Sequence, residues 1–324
     1  MSSITTTSNL GPVILQSLAP AVLYTPTSAF NNILICDKQE MPSGGGSTIL
    51  FTRPRNMEPP VVQLGNSGLD PAPQVPQRDV ISAEMAWFGT GAVINYQVLL
   101  QDQDAVLAWV SKRLGVAGKQ AEDIILRDYI ISASSKINAS GGQNGDNPTN
   151  LAPSDFSAVA ATLDTNNAMK FLDGIDPTIK IGTGAVRPSY VMLSSTELQP
   201  DFDAMVGSGF KNQWDYSANL TALQNEYGNI FNIRVLTSAE APVQRTASLG
   251  ALDVYLNIVA GKQAVTHISQ SGDSMKLLYR GPEYSGMLQQ NATLAIRFPQ
   301  AQALTQDTAI RVLKCTPSSN YGGF

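Results

Sequence analysis

The sequence predicts an α+β fold, and three stretches of the chain predict it. Residues 103–136 carry apolar side chains at three- and four-residue steps, which is the spacing of a helix with one buried face. Residues 286–315 alternate small and large side chains in two runs joined by a short turn, as two strands would. Two further alternating runs, at 47–53 and 78–99, flank a Pro-rich connection and predict a long hairpin.

The first element in chain order is an N-terminal arm. Residues 1–47 are rich in Ser, Thr and Pro, show no sustained hydrophobic period and end in the Gly-rich run Ser43–Ser47. An extended arm of this kind gains stability only by lying on another surface. In an assembly it would act as a strap across a neighbouring subunit.

The second element is the hairpin, whose second strand has a predicted bend at Gly89 and Gly91. Its connection, from Met57 to Pro76, is about 20 residues long, and loops of that length are normally functional or disordered. We expect this hairpin to project from the body and lie on a neighbour, because it cannot bury itself in its own core. The expected inter-subunit contacts are prolines of the connection and the arginines flanking it: Pro59, Pro60, Pro71, Pro73, Arg53, Arg55 and Arg78.

For those arginines, two interpretations stay open. One is plain solubility of an exposed segment. The other is salt bridging to acidic residues of a neighbouring subunit, for which the guanidinium fork is well suited.

The long helix follows, over residues 103–136, with Gly115 and Gly118 as candidates for a kink. At 1.5 Å per residue it would span about 50 Å, so we expect it to be the main structural helix of the subunit. The middle of the chain, residues 151–270, has the pattern of a separate α/β region. Its predicted elements are a helix capped by Ser154 or Asp155, strands at 190–193 and 233–237, and two strands around the Gly261–Lys262 turn.

Composition favours assembly. Apolar residues make up 43% and charged residues 15% of the chain, against about 25% charged residues in ordinary soluble proteins. Burial in an oligomer is one way to cover such a surface. The net charge is −5 and no basic run is present, which argues against a sequence-reading DNA binder. Neither a signal pattern nor a membrane-spanning apolar window is found, so we expect synthesis in the cytoplasm and no membrane partner.

Residues that carry chemistry are few. The single histidine, His267, excludes metal sites built from several histidines, and its strand-like setting predicts a histidine without catalytic duty. Cys36 and Cys315 are too few for a disulfide framework, so two buried free thiols are expected. Glycine clusters lack the spacing of phosphate loops, and paired carboxylates are sequence neighbours rather than partners across a cleft. We therefore expect no catalytic residue, no metal, no cofactor and no enzymatic activity.

Several passages resemble the major capsid proteins of tailed bacteriophages, in particular a podovirus-like branch. SGGGSTILFTRPRN is similar to the strand entering their extended loop. LAPSDFSAVAATLDTNN followed by SYVMLSSTELQPDF is similar to the passage that opens their axial domain. LQQNATLAIRFPQAQALTQDTAIRV resembles their terminal strands. The likeness covers roughly residues 30–316.

The resemblance implies a Hong Kong 97-type fold. It assigns 1–47 to the arm, 48–97 to the extended loop, 98–150 and 271–324 to a peripheral domain with the spine helix, and 151–270 to the axial domain. The implied function is self-assembly into pentamers and hexamers that form an icosahedral phage head around double-stranded DNA, in the virion, after assembly in the host cytoplasm. The implied partners are other copies of the chain, a portal protein, any scaffold or cement protein, and packaged DNA, bound non-specifically.

Two departures from family patterns give further expectations. No Lys lies between Asn56 and Gln77, so we expect no covalent crosslink through the extended loop and a denatured mass of one chain. Only about 47 residues precede that loop, so we expect a separate scaffold protein or none. The alternatives are an encapsulin-type compartment shell, a tail-tube or other virion protein, and an enzyme whose site is too diffuse to see.

Overall fold

A computed structural model describes residues 32–59, 73–97, 106–140, 148–171, 188–216, 223, 225–244, 253–271, 275–284 and 288–318 of the 324-residue chain. Most of the predicted arm (residues 1–31) lies outside these ranges, and so do Pro60 and Pro71 of the hairpin connection. Within the described ranges the strands form three sheets, of five, eight and two strands.

The five-stranded sheet is built around the longest strand, which is part of the predicted C-terminal pair. Its members are β1 (Asp37–Met41), β4 (Ala86–Asn95), β12 (Val265–Gln270), β13 (Lys276–Arg280) and β14 (Asn291–Leu304). Strand β14 pairs antiparallel with β4 along one edge and with β13 and β12 along the other, and β1 adds parallel to β12. Side chains of β14 alternate between two faces, and different elements pack on the two faces.

The long helix α1 (Val106–Ala133) covers the first face, so the helix predicted over 103–136 is confirmed within the described residues. Val110 packs with Ile94 and Leu294. A Cβ at Gly118 would come 2.5 Å from Ile296 Cδ1 and 3.0 Å from Met275 Cε, so a residue without a side chain lets the helix approach the sheet closely. The two glycines do not interrupt the helix, which runs unbroken through both predicted kink positions.

Substitution of these two glycines is expected to have opposite effects. Gly118→Leu should lower the free energy of unfolding by about 1–3 kcal/mol, because it overfills a packed contact. Gly115→Ala should raise it by about 0.5–1 kcal/mol, because a Cβ there meets nothing within 4 Å and alanine favours helix. Urea unfolding of both variants checks this, and a loss of stability at Gly115 matching that at Gly118 would contradict the packing argument.

The hairpin covers half of the second face. Strands β2 (Thr48–Pro54) and β3 (Arg78–Glu84) pair antiparallel, and their inner side chains pack on that face with Met41, Ile268, Ala301 and Ala303. The packing side chains from the hairpin segment are Ile49, Phe51, Ile81, Ala83 and Met85. The expectation that the hairpin has no burial partner in its own chain is therefore wrong for its base, the paired strands β2 and β3. Every second side chain of these strands faces the body, and these side chains are apolar or form ion pairs.

The predicted strand 78–99 is two strands in two sheets. It breaks at Met85, whose backbone N–H donates to Ser47 O (2.8 Å) and closes the hairpin. From Ala86 onward the chain pairs with β14 instead of β2. Gly89 and Gly91 lie inside β4 rather than at the break, and a Cβ at Gly89 would come 2.8 Å from Ile296 O.

The described end of the arm also packs on the chain's own body. A 3-10 helix, Asn32–Leu34, is held by Asp123 of α1, which accepts from Asn32 Nδ2 (2.6 Å) and Ile33 N (3.1 Å). Cys36 is buried beside it, and β1 continues into the sheet. We expected the arm, as far as residue 47, to be stabilised only by lying on another surface. That expectation is wrong for the described end of the arm.

The eight-stranded sheet forms the middle of the molecule. Its strands are β5 (Lys136–Asn138), β6 (Tyr190–Ser195), β7 (Phe210–Asn212), β8 (Glu226–Ile230), β9 (Ile233–Ser238), β10 (Val243–Gln244), β11 (Val254–Ala260) and β15 (Ile310–Cys315). The predicted strands at 190–193 and 233–237 and those around Gly261–Lys262 are confirmed. Two helices, α2 (Pro153–Thr165) and α3 (Gln199–Ala204), complete this part.

Three expectations differ in detail here. The cap of α2 is Ala152, and Asp155 acts from inside the first turn by accepting the Ala152 N–H (2.8 Å). The two C-terminal strands do not pair with each other: β14 belongs to the five-stranded sheet and β15 to the eight-stranded one. Strand β12, predicted with the middle segment, joins the five-stranded sheet because it pairs with β14.

Candidate assembly surfaces

The uncovered half of the second sheet face is an open, apolar and basic surface. We call it the outer face, and it consists of the outward side chains of β4, β13 and β14: Trp87, Val93, Lys276, Leu278, Arg280, Thr293, Ala295 and Arg297. Val93 is 68% and Trp87 54% exposed on β4, which pairs only with β14 among the described strands, and such large exposed apolar side chains mark a candidate contact surface.

Charge on these three strands has one sign. Strands β4, β13 and β14 contain Lys276, Arg280 and Arg297 and no Asp or Glu, in a chain whose net charge is −5. The Arg297 guanidinium lies 5.5 Å from the centre of the Trp87 ring, so the cation and the aromatic ring form one unit. The outer face therefore suits a partner that brings apolar side chains.

The hairpin carries a second exposed apolar surface. The side chains of β2 and β3 that point away from the body include Leu50 and Val80, which are 64% and 60% exposed. Beyond the paired strands, Met57 and Val75 are exposed as well. Glu58 and Gln74 join the two ends of the connection, since Glu58 N donates to Gln74 Oε1 (3.0 Å) and Gln74 Nε2 to Glu58 O (2.9 Å).

Two of the predicted contact arginines already have partners within the chain. Arg55 forms an ion pair with Asp79 (2.7 Å), and Arg53 reaches both Asp79 (3.4 Å) and Asp307 (3.2 Å). The hydrogen bond from Arg55 is the main reason that the pKa of Asp79 lies below its usual range. Arg53 also donates to Thr305 O (3.4 Å), so it fastens the hairpin to the segment between β14 and β15.

The remaining predicted contact residues are more accessible. Arg78 is exposed at the start of β3, opposite Pro54, and no ion pair to it is found within the described part of the chain. Pro59 and Pro73 are exposed, at the two ends of the connection. Pro60 and Pro71 lie outside the described residues.

Sequence reasoning did not identify the outer face. In the sequence, Trp87 and Val93 are two apolar members of the run 78–99, which predicts a single hairpin strand. The sequence feature that could have indicated this face is the absence of acidic residues from β4, β13 and β14. The side chains of these three strands form one surface only after β14 has paired with both β4 and β13.

A third exposed apolar group lies at the far end of the eight-stranded sheet. Strand β7 is its edge, and Trp214, just beyond it, is 82% exposed. Phe231 and Val206 are exposed nearby, with Phe231 in the turn between β8 and β9. Unpaired edges and exposed aromatic side chains are both features of surfaces that meet other chains.

The described ranges contain no group of three or more His, Cys, Asp or Glu side chains that could hold a metal ion. Among the described helices, none is both long and apolar enough to span a bilayer. Cys36 and Cys315 are buried free thiols, as predicted, and burial raises the pKa of both well above the usual value for cysteine. Such thiols are poor nucleophiles.

Comparison with solved structures gives matches over almost the whole chain. The capsid of the cyanophage P-SCSP1u superposes with a TM-score of 0.67 at 13% identity, covering 94% of each chain. The capsid of Ralstonia phage GP4 gives 0.64 at 11% identity, covering 98% of this chain and 99% of that one. The mature capsid of bacteriophage PhiM1 gives 0.59 at 11% identity, covering 93% and 92%.

No protein-family model matches the chain, and no curated protein matches it in sequence. At such low identities the structural likeness establishes the fold. The chain has the fold of phage capsid proteins, and the predicted Hong Kong 97-type α+β fold is confirmed.

Proposed function

We propose that this chain is the major capsid protein of a tailed phage, a structural subunit that assembles with copies of itself into the shell of the head. The observation that carries the proposal is the match to capsid chains over 93–98% of this chain, which includes the hairpin, the long helix and both large sheets. A subunit of this kind needs surfaces for neighbours and no catalytic centre. The compartment-shell alternative gains no support from these phage capsids.

The exposed surfaces suggest how copies meet. The chain's own hairpin base covers one half of the second face of the five-stranded sheet, and the outer face continues that surface without a break. We therefore place the exposed hairpin surface of a second copy, with Leu50, Val80 and the carboxylate of Glu84, on the outer face. This contact joins unlike surfaces, so it does not close a two-fold dimer, and it forms rings where the rotation between copies closes.

The predicted inter-subunit residues fit this arrangement with altered roles. Arg53 fixes the hairpin on the body through Asp307, and Arg55 ties the two hairpin strands together through Asp79. The other predicted residues, Arg78, Pro59 and Pro73, remain exposed for a neighbour. We propose that the five-stranded sheet with α1 forms the peripheral domain and the eight-stranded sheet the axial domain. In this scheme Trp214 and Phe231 lie on the axial domain, at the contact within pentamers and hexamers.

The other partners follow from the proposed role. A head of this type would also contact a portal protein, any separate scaffold or cement protein, and packaged double-stranded DNA without sequence preference. The outer face is basic, but it is assigned here to a second copy rather than to DNA, because its apolar centre matches a protein surface better than a phosphate backbone. Virion location and assembly in the host cytoplasm belong to the same proposal.

Removal of residues 59–73 tests the role of the hairpin connection. The shortened chain should keep the thermal unfolding transition and far-ultraviolet circular dichroism of the full chain, because the described core lies elsewhere. It should fail to form closed particles in electron micrographs. Normal heads from the shortened chain would refute the proposed role of the connection, and loss of the unfolding transition would show that the connection serves the fold of the subunit instead.

A further inference from the structure

Strand β13 is the least covered strand of the five-stranded sheet, since all five of its residues are exposed. Within the described ranges it is an end strand, because only β14 pairs with it. Leu278 points to the outer face, whereas Leu277 and Tyr279 lie opposite Ile296 and Leu294 on the face where α1 packs. Leu277 and Tyr279 are nevertheless 49% and 55% exposed. An edge strand with large apolar side chains exposed on both faces is a template for pairing with a further strand.

The arm enters the described structure on the same side of the sheet as β13. Asn32 and Ile33 bind Asp123 of α1, and the chain then continues as β1 along β12. Strands β12 and β13 pair with the same edge of β14, so the arm reaches α1 on the side of the helix where β13 lies. Gly118, which lies against Met275 just before β13, is about 7.5 Å from Asp123 along the helix. The edge of β13 is therefore close to the point where the described chain begins.

The arm residues before Asn32 are chemically suited to such an edge. The first 36 residues contain no Asp, Glu, Lys, Arg or His, although charged residues make up 15% of the whole chain. A segment without charged side chains needs no ion-pair partner when it is buried. It also brings no like charge to the side chains of Lys276 and Arg280 on β13.

One run in this segment matches β13 in length. Residues 21–25 (AVLYT) combine β-branched, aromatic and other apolar side chains, which favour a strand, and they lie between Pro20 and Pro26. A proline favours extended backbone at the residue before it, so Pro26 supports the extended form at the end of the run. Residues 26–31, which join the run to Asn32, span about 20 Å when extended. That length exceeds the separation along α1 between the start of β13 and the anchor of the arm.

We infer that, in the free subunit, residues 21–25 add to the edge of β13 of the same chain as an antiparallel strand. The direction follows from the fold. Helix α1 runs opposite to β12 and β13, since Gly118 lies at Met275 and Glu122 lies farther back, at His267. A segment that passes from β13 to its anchor on α1 runs in the direction of the helix and therefore against β13. The sheet thereby gains a further strand.

The inference concerns the isolated subunit, so it does not depend on the proposed shell. Residues 21–36 would belong to the body of their own subunit, because the described end of the arm is already anchored there through Asn32. At most residues 1–20 would then remain to lie across a neighbouring copy.

Amide hydrogen exchange of the full-length protein, held below its assembly threshold, tests this pairing. The amides of β13 that point away from β14 should exchange at least about tenfold more slowly in the parent than in a double variant carrying Val22→Lys and Tyr24→Lys. These substitutions put cations next to Lys276 and Arg280, and like charges on neighbouring strands oppose pairing.

The matched control is the double variant Thr5→Lys with Thr7→Lys, which adds the same charge to the arm outside the run. Its β13 amides should exchange within about threefold of the parent. The amides of β11, a central strand of the eight-stranded sheet, should be unchanged in all three proteins, which establishes that each one folds. Should the Val22 and Tyr24 variant fail to fold, removal of residues 1–25, which leaves the Asn32 anchor in place, gives the same comparison.

Three results would overturn the inference. The first is equal exchange of the β13 amides in the parent and in the Val22 and Tyr24 variant. The second is an equal loss of protection in the two lysine variants, which would show an effect of net charge rather than of the run. The third is protection that appears only as the protein concentration passes the assembly threshold, because the added strand would then come from a second copy.

Discussion

Trp87→Ala is expected to leave a folded subunit that no longer assembles at concentrations where the parent chain does. Trp87 lies at the edge of the outer face, 54% exposed, with Arg297 stacked on its ring. A tryptophan of this kind is the typical energetic centre of a protein contact, where truncation costs about 2 kcal/mol or more. The threshold concentration for assembly should therefore rise at least about thirtyfold, since 1.4 kcal/mol corresponds to a factor of ten.

The matched control is Trp109→Ala. Trp109 has a similar exposure, 43%, but lies on α1, on the opposite side of the sheet from the outer face. Light scattering against protein concentration measures the threshold for each variant, and circular dichroism establishes that both fold. Equal thresholds for the two variants, or no change in Trp87→Ala, would mean that the outer face is not the contact.

Arg234→Ala is expected to destabilise the eight-stranded sheet by about 3–5 kcal/mol, which is the usual cost of removing one partner of a buried ion pair. Arg234 is fully buried, and its Nε lies 3.4 Å from Glu226 Oε1. Glu226 also accepts from the Tyr216 hydroxyl and the Leu223 backbone N–H, both at 2.7 Å. Without the guanidinium this carboxylate stays buried with only neutral donors among the contacts just named.

The comparison variants for Arg234 use the same chemistry in other settings. Arg55→Ala removes an arginine whose side chain is 60% exposed, and its ion pair with Asp79 should contribute little to the free energy of unfolding. The double variant Arg234→Met with Glu226→Gln should recover part of the lost stability, because it removes both buried charges. Chemical denaturation measures all three. A loss in Arg234→Ala no larger than in Arg55→Ala would show that burial does not set the strength of this pair.

Elements defined by their own periodicity could be predicted from the sequence. Helix α1 repeats apolar residues at three- and four-residue steps, as at Val110, Leu114 and Ala117, and this pattern needs no knowledge of the partner. Strands β6 and β9 are runs of buried side chains and were found for the same reason. The residues of each strand are enough to predict that it is buried, whichever strand it pairs with.

Pairing partners could not be predicted in the same way. Alternation over 78–99 is equally compatible with one long strand and with two strands that change partner at Met85. The alternation of apolar and polar side chains is the same in either sheet, so it does not identify the pairing partner. The anchoring of the arm depends on Asn32 meeting Asp123, which is 91 residues away. The outer face likewise becomes a surface only when β4 and β13 flank β14.

Electron microscopy of the purified full-length protein, combined with its mass in solution, tests the central claim most directly. We expect closed icosahedral particles at the parent threshold concentration, with each hairpin seated on the outer face of an adjacent copy and a denatured mass of a single chain. A protein that remains a compact monomer at all concentrations and salt conditions, or that forms only open fibres, would contradict the claim that this chain is a shell subunit.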